Sequence, residues 1–300
     1  MKFLIIVFAL LNVCFSCAMP PESVSDDILR STVIIDLPNT LDFADEKVPL
    51  EYAEVSEAIQ KEVLTTMCMH TRTMLTLRMT TRYFPIIEPI LKNNGVPDDF
   101  KYLCLAESGL DVNARSGAGA AGLWQFISSA AKTYGLETGA NVDLRYNVEL
   151  ATEAACRYLK SAYRRFGSWT MAAASYNVGQ AGVDRRAETQ GVGNYWDMFL
   201  PDETMRYIPR ILSFKLLLQN PAKYGFVLRK RDYFPPFINF RTVEVSDKEI
   251  EWSDFATKYG TNYKVLRILN PWIRSYDYDN STAKTYTVKI PTGGFRHLGY

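Results

Sequence analysis

A long stretch of helical periodicity, from about residue 51 to residue 225, constrains the fold of this chain more than any other feature. Apolar residues recur every three to four positions through "EVSEAIQKEVLTTMCMHTRTMLTLRMTTRYFPIIEPILKNNG", where Pro85 and Gly95 are the expected interruptions. Later segments such as "DDFKYLCLAESGL" and "VELATEAACRYLKSAYRRFG" continue the pattern and close near Gly, as helices commonly do. No β-rich stretch interrupts them. The sequence therefore predicts a mainly α protein in which residues 51–225 form an all-α domain.

A second, smaller unit follows a change of composition. Residues 226–241, "FVLRKRDYFPPFINFR", carry two adjacent prolines and several cations, which favours a linker over a helix. Beyond it "RTVEV" and "KTYTVKIP" are typical of strands, and "EWSDFATKYG" and "NYKVLRILNP" are typical of short helices. The sequence predicts a small α+β domain of βααβ order over residues 242–292.

Composition limits the class of partner. The 300 residues include 34 Lys and Arg against 33 Asp and Glu, for a net charge of +1. A nearly neutral chain has no basic field to attract a polyanion, so we expect no nucleic-acid partner. A neutral or locally recognised ligand is the better prediction.

The N-terminus has the pattern of an export signal over residues 1–18. Lys2 precedes the apolar run "FLIIVFALLNVCF", which is shorter than a comfortable membrane span, and small residues follow it. Two processing sites compete: cleavage after Ala18, or a loose lipobox "CFSC" that would make Cys17 a lipidated N-terminus. The polar segment that follows favours the lipoprotein, with residues 19–50 as a tether or an N-terminal arm.

The remaining cysteines and histidines do not form a metal-binding pattern. Cys68, Cys104 and Cys156 are interpreted as buried free thiols, with one disulfide as the less favoured alternative. His70 and His297 lie far apart and have no partners at zinc-ligand spacing. We expect no metal and no cofactor.

Glu107 is the candidate catalytic residue. It ends the apolar run "KYLCLAES" and leads into the loop "RSGAGAAGLWQF". A helix over this run would bring the carboxyl to the interior or to a cleft wall, where desolvation raises its pKa. A carboxyl that stays protonated near neutral pH can act as a general acid, as in glycosidic-bond cleavage.

A glycosidase normally needs a second carboxylate across the bond. Asp111 lies four residues after Glu107, but the intervening Ser-Gly is expected to end the helix, so no fixed geometry follows. Without such a partner the sugar must supply its own nucleophile. The glycine-rich loop lacks the P-loop pattern and is interpreted as backbone that lets a polymer lie close.

Four motifs in order give these residues a family resemblance: "AESGLDVNARS", "GAAGLWQF", "ASYNVG" and "ETMRYIPRIL". Over about residues 80–220 the chain resembles the soluble lytic transglycosylase family, and within it the membrane-bound lytic murein transglycosylase D type. Val178 departs from the family's usual alanine. The resemblance implies a lysozyme-like all-α catalytic domain that acts on peptidoglycan glycan strands in the bacterial periplasm or cell envelope.

The resemblance also implies roles for individual residues. Glu107 would protonate the glycosidic oxygen and then act as base toward the C6 hydroxyl of N-acetylmuramic acid, giving a 1,6-anhydro product without water. Ser108 and Gln125 would line the groove. Tyr176 and Asn177 would orient Glu107 and the sugar. The groove floor would be shaped by Glu203 and Tyr207.

The C-terminal unit resembles a LysM peptidoglycan-binding domain through its βααβ order and "DFATKYGTNYKVLRILNP", although the usual Gly-Asp-Thr turn is missing. Glycan binding by this unit does not follow from the resemblance. Two other functions remain open for the chain: a goose-type lysozyme-like hydrolase with Asp111 as the second carboxylate, and a non-catalytic peptidoglycan-binding lipoprotein.

Overall fold

The computed structural model describes residues 35–296. The predicted export signal, Cys17 and His297 lie outside the described residues, as does the first half of the predicted tether or arm. Eleven α-helices are present in the described residues: α1 Ala53–Cys68, α2 His70–Asn93, α3 Phe100–Ser108, α4 Ser128–Thr133, α5 Val148–Phe166, α6 Trp169–Val178, α7 Gln180–Gln190, α8 Asp202–Met205, α9 Tyr207–Gln219, α10 Trp252–Lys258 and α11 Tyr263–Leu269. The strands over the same range are β1 Asp42–Phe43, β2 Glu46–Lys47, β3 Phe240–Val245, β4 Glu249–Glu251, β5 Asp277–Asp279 and β6 Tyr286–Pro291.

The mainly α fold class is confirmed, but one predicted interruption is wrong. Pro85 and Pro89 both lie inside α2, and the chain breaks instead at Met69, between α1 and α2. A proline in a helix lacks the N–H for the bond to the preceding turn. Here α2 is held by tertiary packing, because Leu77, Ile87 and other residues of its inner face are almost fully buried.

The segment before α1 is an ordered arm. Its β1–β2 hairpin pairs Asp42 with Lys47. Glu46 accepts hydrogen bonds from the backbone N–H of Thr170 at 2.9 Å and from the hydroxyl of Ser168 at 2.8 Å, so its carboxylate lies at the N-terminus of α6. A negative charge there complements the helix dipole. The arm is therefore attached to the helical domain by specific contacts.

A buried lysine joins the same arm to the helix that carries Glu107. Lys215 of α9 donates to the carboxylates of Asp42 at 2.8 Å and Asp99 at 2.7 Å. Asp99 precedes α3 and also accepts the backbone N–H of Ala44 at 2.8 Å. These paired charges fix the start of α3 against both the arm and α9.

The C-terminal unit contains two small antiparallel sheets with the two helices α10 and α11. β3 pairs with β6 over six residues, with Val243 opposite Val288, as the sequence predicts for its two strands. β4 pairs with β5 with Ile250 opposite Tyr278, a sheet that the sequence did not predict. Trp252 and Val288 are fully buried in its core.

The C-terminal unit and the helical domain share that core. Val142, on the loop before α5, forms an isolated β-bridge with Ile273 and belongs to the same buried cluster as Trp252. The Asp143 N–H donates to the carbonyl of Trp272 at 3.0 Å. The joint between the two parts is thus made of backbone hydrogen bonds and apolar packing.

The predicted linker lies along α2. The N–H of Phe234 donates to the carbonyl of Arg78 at 2.9 Å, and the hydroxyl of Thr81 donates to the Phe234 carbonyl at 2.7 Å. The Arg78 guanidinium lies 4.0 Å from the centroid of the Phe234 ring. The linker, which contains a short 3-10 helix at Lys230–Asp232, is therefore hydrogen-bonded to the helical domain.

Two remaining expectations concern cysteines and membranes. Cys104 and Cys156 are buried free thiols as predicted, whereas Cys68, the last residue of α1, is exposed, so the prediction of a buried thiol is wrong for Cys68. Among the helices of residues 35–296, none combines the length and the apolar character needed to cross a bilayer.

Candidate active site

Glu107 lies in the last turn of α3. Gly109 ends the helix in the left-handed region with φ 62°, so the predicted helix end at Ser-Gly is confirmed. Leu103, Cys104 and Leu105 on the same helix are fully buried. They anchor α3 in the core, and the partly buried side chain of Glu107 projects from its final turn.

Burial and three neighbours set the proton affinity of Glu107. Desolvation raises the pKa of its carboxyl from the usual 4.5 to about 7. The hydroxyl of Tyr207 donates a hydrogen bond to Glu107 Oε1, and this bond, with the positive charge of Arg210, acts in the opposite direction. The charge of Glu203 raises the pKa further. At neutral pH the group is divided between its acid and its carboxylate forms.

The loop after α3 is held in shape by a buried ion pair. Arg145 binds Asp143 at 2.7 Å and donates from Nη1 to the carbonyl of Gly119 at 2.8 Å. Gly122, with φ +77°, lies so close that an added Cβ would be 1.9 Å from the Arg145 carbonyl oxygen. A side chain is therefore excluded at this position by both conformation and space. The close approach explains the glycine at this one position of the loop.

Gln125 follows in the same loop with a left-handed φ of 46°. Its Nε2 donates to the carbonyls of Gly122 at 2.8 Å and Ala114 at 3.2 Å. Within residues 35–296 its Oε1 accepts no hydrogen bond, so this oxygen is available to a ligand donor. The strain of the backbone is typical of functional sites.

Tyr176 and Asn177 lie at the end of α6 and bond to neighbours other than Glu107. The Tyr176 hydroxyl donates to the carbonyl of Trp124 at 2.8 Å, which fixes the glycine-rich loop. The Asn177 Oδ1 accepts from the hydroxyl of Thr204 at 2.7 Å, which fixes α8. The residue that bonds Glu107 directly is Tyr207, which the sequence had placed in the groove floor.

Ser108 is almost fully buried, and its hydroxyl is engaged within the protein. It donates to the carbonyl of Cys104 at 3.2 Å and accepts the N–H of Leu110 at 3.1 Å. These bonds stabilise the turn that follows α3. The structure thus gives the Ser108 hydroxyl its hydrogen-bond partners within the protein, at the residue next to Glu107 in the chain.

Asp111 was the candidate for a second acidic group, and Glu203 was expected to shape the groove floor. Asp111 accepts the N–H of Asn113 at 2.9 Å within its own turn. Glu203 is exposed at the start of α8, and its charge is the one carboxylate charge among the described residues that raises the pKa of Glu107. Of these two carboxylates, Glu203 is therefore the one whose charge acts on Glu107.

Sequence reasoning missed two charged residues beside the site. Arg210 lies one helical turn after Tyr207 in "RYIPR", a spacing that could have indicated it. Its partner Glu62 on α1 is 2% exposed, and no local pattern pointed to it. Over residues 35–296, no group of His, Cys, Asp and Glu side chains is placed to hold a metal ion.

Comparison with known families agrees with this geometry. Residues 84–199 match the family described as Transglycosylase SLT domain. Residues 241–294 match the soluble lytic transglycosylase C-terminal LysM-like domain. The first match, called the SLT domain below, contains Glu107 and most of the loop and helix contacts described above, and the second match, called the LysM-like domain below, covers the C-terminal unit.

Curated relatives are similar over part of their length. Membrane-bound lytic murein transglycosylase D of Escherichia coli strain K12 is 34% identical over 163 residues, which are 53% of this chain and 36% of the relative. The putative tributyltin chloride resistance protein of Alteromonas sp. strain M-1 is 30% identical over 113 residues, 37% of this chain and 54% of the relative. The chain thus spans between about a third and about half of the length of these relatives.

A search of solved structures found an X-ray structure of an inactive mutant of the lytic transglycosylase Slt from Pseudomonas aeruginosa. It is 18% identical with a TM-score of 0.35, and the match covers 52% of this chain and 28% of that one.

Proposed function

We propose that this protein is an exported peptidoglycan lytic transglycosylase with Glu107 as its general acid and base. It cleaves the β-1,4 bond between N-acetylmuramic acid and N-acetylglucosamine and leaves a 1,6-anhydro end. The observation that carries the proposal is the Glu107 carboxyl, which has a pKa of about 7 through burial and lies in an SLT domain. Such a group can both give and take a proton near neutral pH.

In the first step the protonated Glu107 gives its proton to the glycosidic oxygen, and the bond from that oxygen to C1 of the muramic acid breaks. Negative charge then develops on Glu107, and the Tyr207 hydroxyl and the positive charge of Arg210 stabilise it. These two groups contribute most when the carboxyl is ionised, so they favour the state that follows proton transfer.

In the second step the C6 hydroxyl of the same sugar attacks C1, and its proton passes to the Glu107 carboxylate. The new C6–O–C1 bond closes the anhydro ring, and Glu107 is again protonated. The cycle consumes no water and needs no co-reactant. Because the nucleophile is part of the substrate, no second catalytic carboxylate is required, in contrast to ordinary glycosidases.

The place of action proposed here is the bacterial cell envelope. The sequence signal over residues 1–18 favours export, with Cys17 as the proposed lipid attachment site of an outer-membrane lipoprotein. A relative of 34% identity carries the name membrane-bound lytic murein transglycosylase D, which supports this location. Peptidoglycan glycan strands are the proposed partner, and glycan binding by the LysM-like domain stays a prediction.

The test is mass spectrometry of the soluble products from purified sacculi digested in oxygen-18 water. Wild type is compared with Glu107→Gln and with Glu57→Gln, a control at an exposed glutamate of α1. We expect anhydro-muropeptides without heavy oxygen from wild type and from the control, and none from Glu107→Gln.

Other products would contradict the proposal in different ways. Reducing ends that contain heavy oxygen would make the protein a hydrolase, and an Asp111→Asn variant would then test the goose-type alternative. Binding to sacculi with no product at all would favour the non-catalytic lipoprotein.

A further inference from the structure

A small cavity lies next to the helical turn that carries Glu107, and Arg210, whose charge acts on Glu107, is one of its lining residues. Its volume is about 240 Å³. It opens between the end of α1, the start of α2, the end of α3 and the start of α9. Ala106, the residue before Glu107, forms part of its wall, together with Glu62, Arg72, Arg206, Arg210 and Phe214. We call this cavity the basic pocket.

The basic pocket has an excess of positive charge. Three guanidinium groups and one carboxylate line it. That carboxylate, Glu62, is 2% exposed and binds Arg206 through Nε at 2.5 Å and Arg210 through Nε at 3.5 Å. A buried carboxylate is costly unless it is paired, so Glu62 fixes the position of both arginines. One negative charge is left to balance three positive ones.

Almost all of the hydrogen-bonding groups that remain unpaired in the pocket are guanidinium donors. In residues 35–296 the Nη atoms of Arg206 and Arg210 form no hydrogen bond, and Arg72 has neither an ion pair nor a side-chain hydrogen bond. The hydroxyls in the wall are already used: Thr73 donates to the Thr66 carbonyl at 2.6 Å, and others donate to the carbonyls of Glu62, Gly109 and Lys61. Guanidinium donors in this arrangement suit a ligand that only accepts hydrogen bonds and is negatively charged.

Apolar side chains in the wall of the basic pocket indicate which kind of anion it suits. Met69, Ala106 and Phe214 line the pocket beside the arginines. A fully hydrated inorganic anion gains nothing from such contacts, whereas a carboxylate on a short aliphatic stem can bury its carbon atoms there. The volume is suited to one or two amino-acid residues.

We propose that the basic pocket binds a carboxylate of the peptide that the glycan substrate carries next to the cleaved bond. The inference rests on the proposed function, because peptidoglycan bears such a peptide on the lactyl group of its muramic acid. That sugar is the one whose glycosidic bond Glu107 protonates, and the pocket wall begins at the neighbouring residue. Through the pocket, a free peptide carboxylate on the muramic acid determines which glycan segments are cut.

The first test measures binding without turnover. A disaccharide-peptide fragment with free peptide carboxylates, and the same fragment with these carboxylates converted to amides, are titrated calorimetrically into Glu107→Gln. Loss of a charge-assisted hydrogen bond should weaken binding of the amide about tenfold. In Glu107→Gln combined with Arg72→Gln the difference should fall to about twofold or less. Equal affinity of the two fragments for Glu107→Gln, or no binding of either, would overturn the proposal.

The second test uses rates on two substrates, so that failure of the inference is distinct from failure of the proposed function. Initial release of product is measured from peptide-bearing sacculi and from strands stripped of peptides by an amidase. Arg72→Gln should lower the rate ratio between the first and second substrate about tenfold. Arg164→Gln, at an exposed arginine near the end of α5 with no side-chain hydrogen bond in residues 35–296, should leave the ratio at the wild-type value.

The results of the second test distinguish failure of the proposed function from failure of the inference alone. A wild-type protein that cuts neither substrate refutes the proposed function and the inference together. An active wild type whose ratio is unchanged by Arg72→Gln refutes the inference alone.

Discussion

Replacing Glu107 with glutamine should make the folded protein more stable at alkaline pH. A buried carboxyl with a raised pKa costs stability once it ionises, because the folded state holds the proton more tightly than the unfolded chain does. Glutamine has nearly the same shape, stays neutral at every pH, and can still accept the Tyr207 hydrogen bond. The substitution therefore removes the charge with little change in packing.

The sign and the pH range follow from the two pKa values. In the unfolded chain Glu107 ionises near its usual 4.5, and in the folded protein near 7. Between these values the folded state binds more protons than the unfolded state, so the free energy of unfolding falls as pH rises. Below pH 4 the carboxyl is protonated in both states, and wild type and Glu107→Gln should then be equally stable.

The magnitude follows from the same difference. About 2.5 in pKa corresponds to about 3 kcal/mol at 25 °C. The Glu107 side chain is only partly buried, so solvent screens some of this cost. We expect Glu107→Gln to exceed wild type in free energy of unfolding by about 2 kcal/mol at pH 8.

The assay is urea denaturation of wild type, Glu107→Gln and the exposed control Glu57→Gln at pH 4 and pH 8. The difference in free energy of unfolding between variant and wild type should grow from pH 4 to pH 8 for Glu107→Gln and stay constant for Glu57→Gln. Equal stability of Glu107→Gln and wild type at pH 8 would refute the raised pKa, and so would a difference of the same size at pH 4. This experiment needs no substrate and is independent of the assignment of activity.

Three further predictions test other parts of the site. Tyr207→Phe removes a donor that favours the ionised form of Glu107, so the alkaline limit of kcat/KM in a pH–rate profile should move to higher pH by about one unit; an unchanged or lower limit would contradict this. Gly122→Ala would place its Cβ 1.9 Å from a backbone oxygen and should lower the free energy of unfolding by about 3 kcal/mol, whereas Gly119→Ala, also at positive φ but with no atom within 4 Å, should cost about 1 kcal/mol in thermal or urea unfolding. Glu46→Ala removes the carboxylate at the N-terminus of α6 and should cost about 1 to 2 kcal/mol in the same measurement; no loss would mean that water replaces it.

Local pattern predicted the features of the site that depend on neighbouring residues. The apolar run before Glu107 and the Ser-Gly after it were sufficient to place a carboxyl at a helix end. Burial of that run then accounts for the raised pKa. The two strands β3 and β6 were found in the same way, because alternation along a strand is also a local signal.

Contacts between residues distant in sequence were beyond such reasoning. Glu62 is one of several charged residues on an amphipathic helix, and only the packing of α1 against α9 shows that its carboxylate is buried against Arg206 and Arg210. Pro85 is a helix breaker by local rules, and α2 overrides those rules through its buried face. The bond between Tyr207 and Glu107 joins residues 100 positions apart.

The bridge between Val142 and Ile273 has a consequence for how the protein would work on a solid wall. A binding module on a flexible tether raises the local concentration of its enzyme but leaves the orientation of the enzyme free. Here the LysM-like domain is joined to the SLT domain by backbone hydrogen bonds and a common core. Any surface that binds the LysM-like domain therefore also fixes the position and orientation of Glu107. Under the proposed function, binding of the LysM-like domain to peptidoglycan would therefore set the position along the strand at which Glu107 acts.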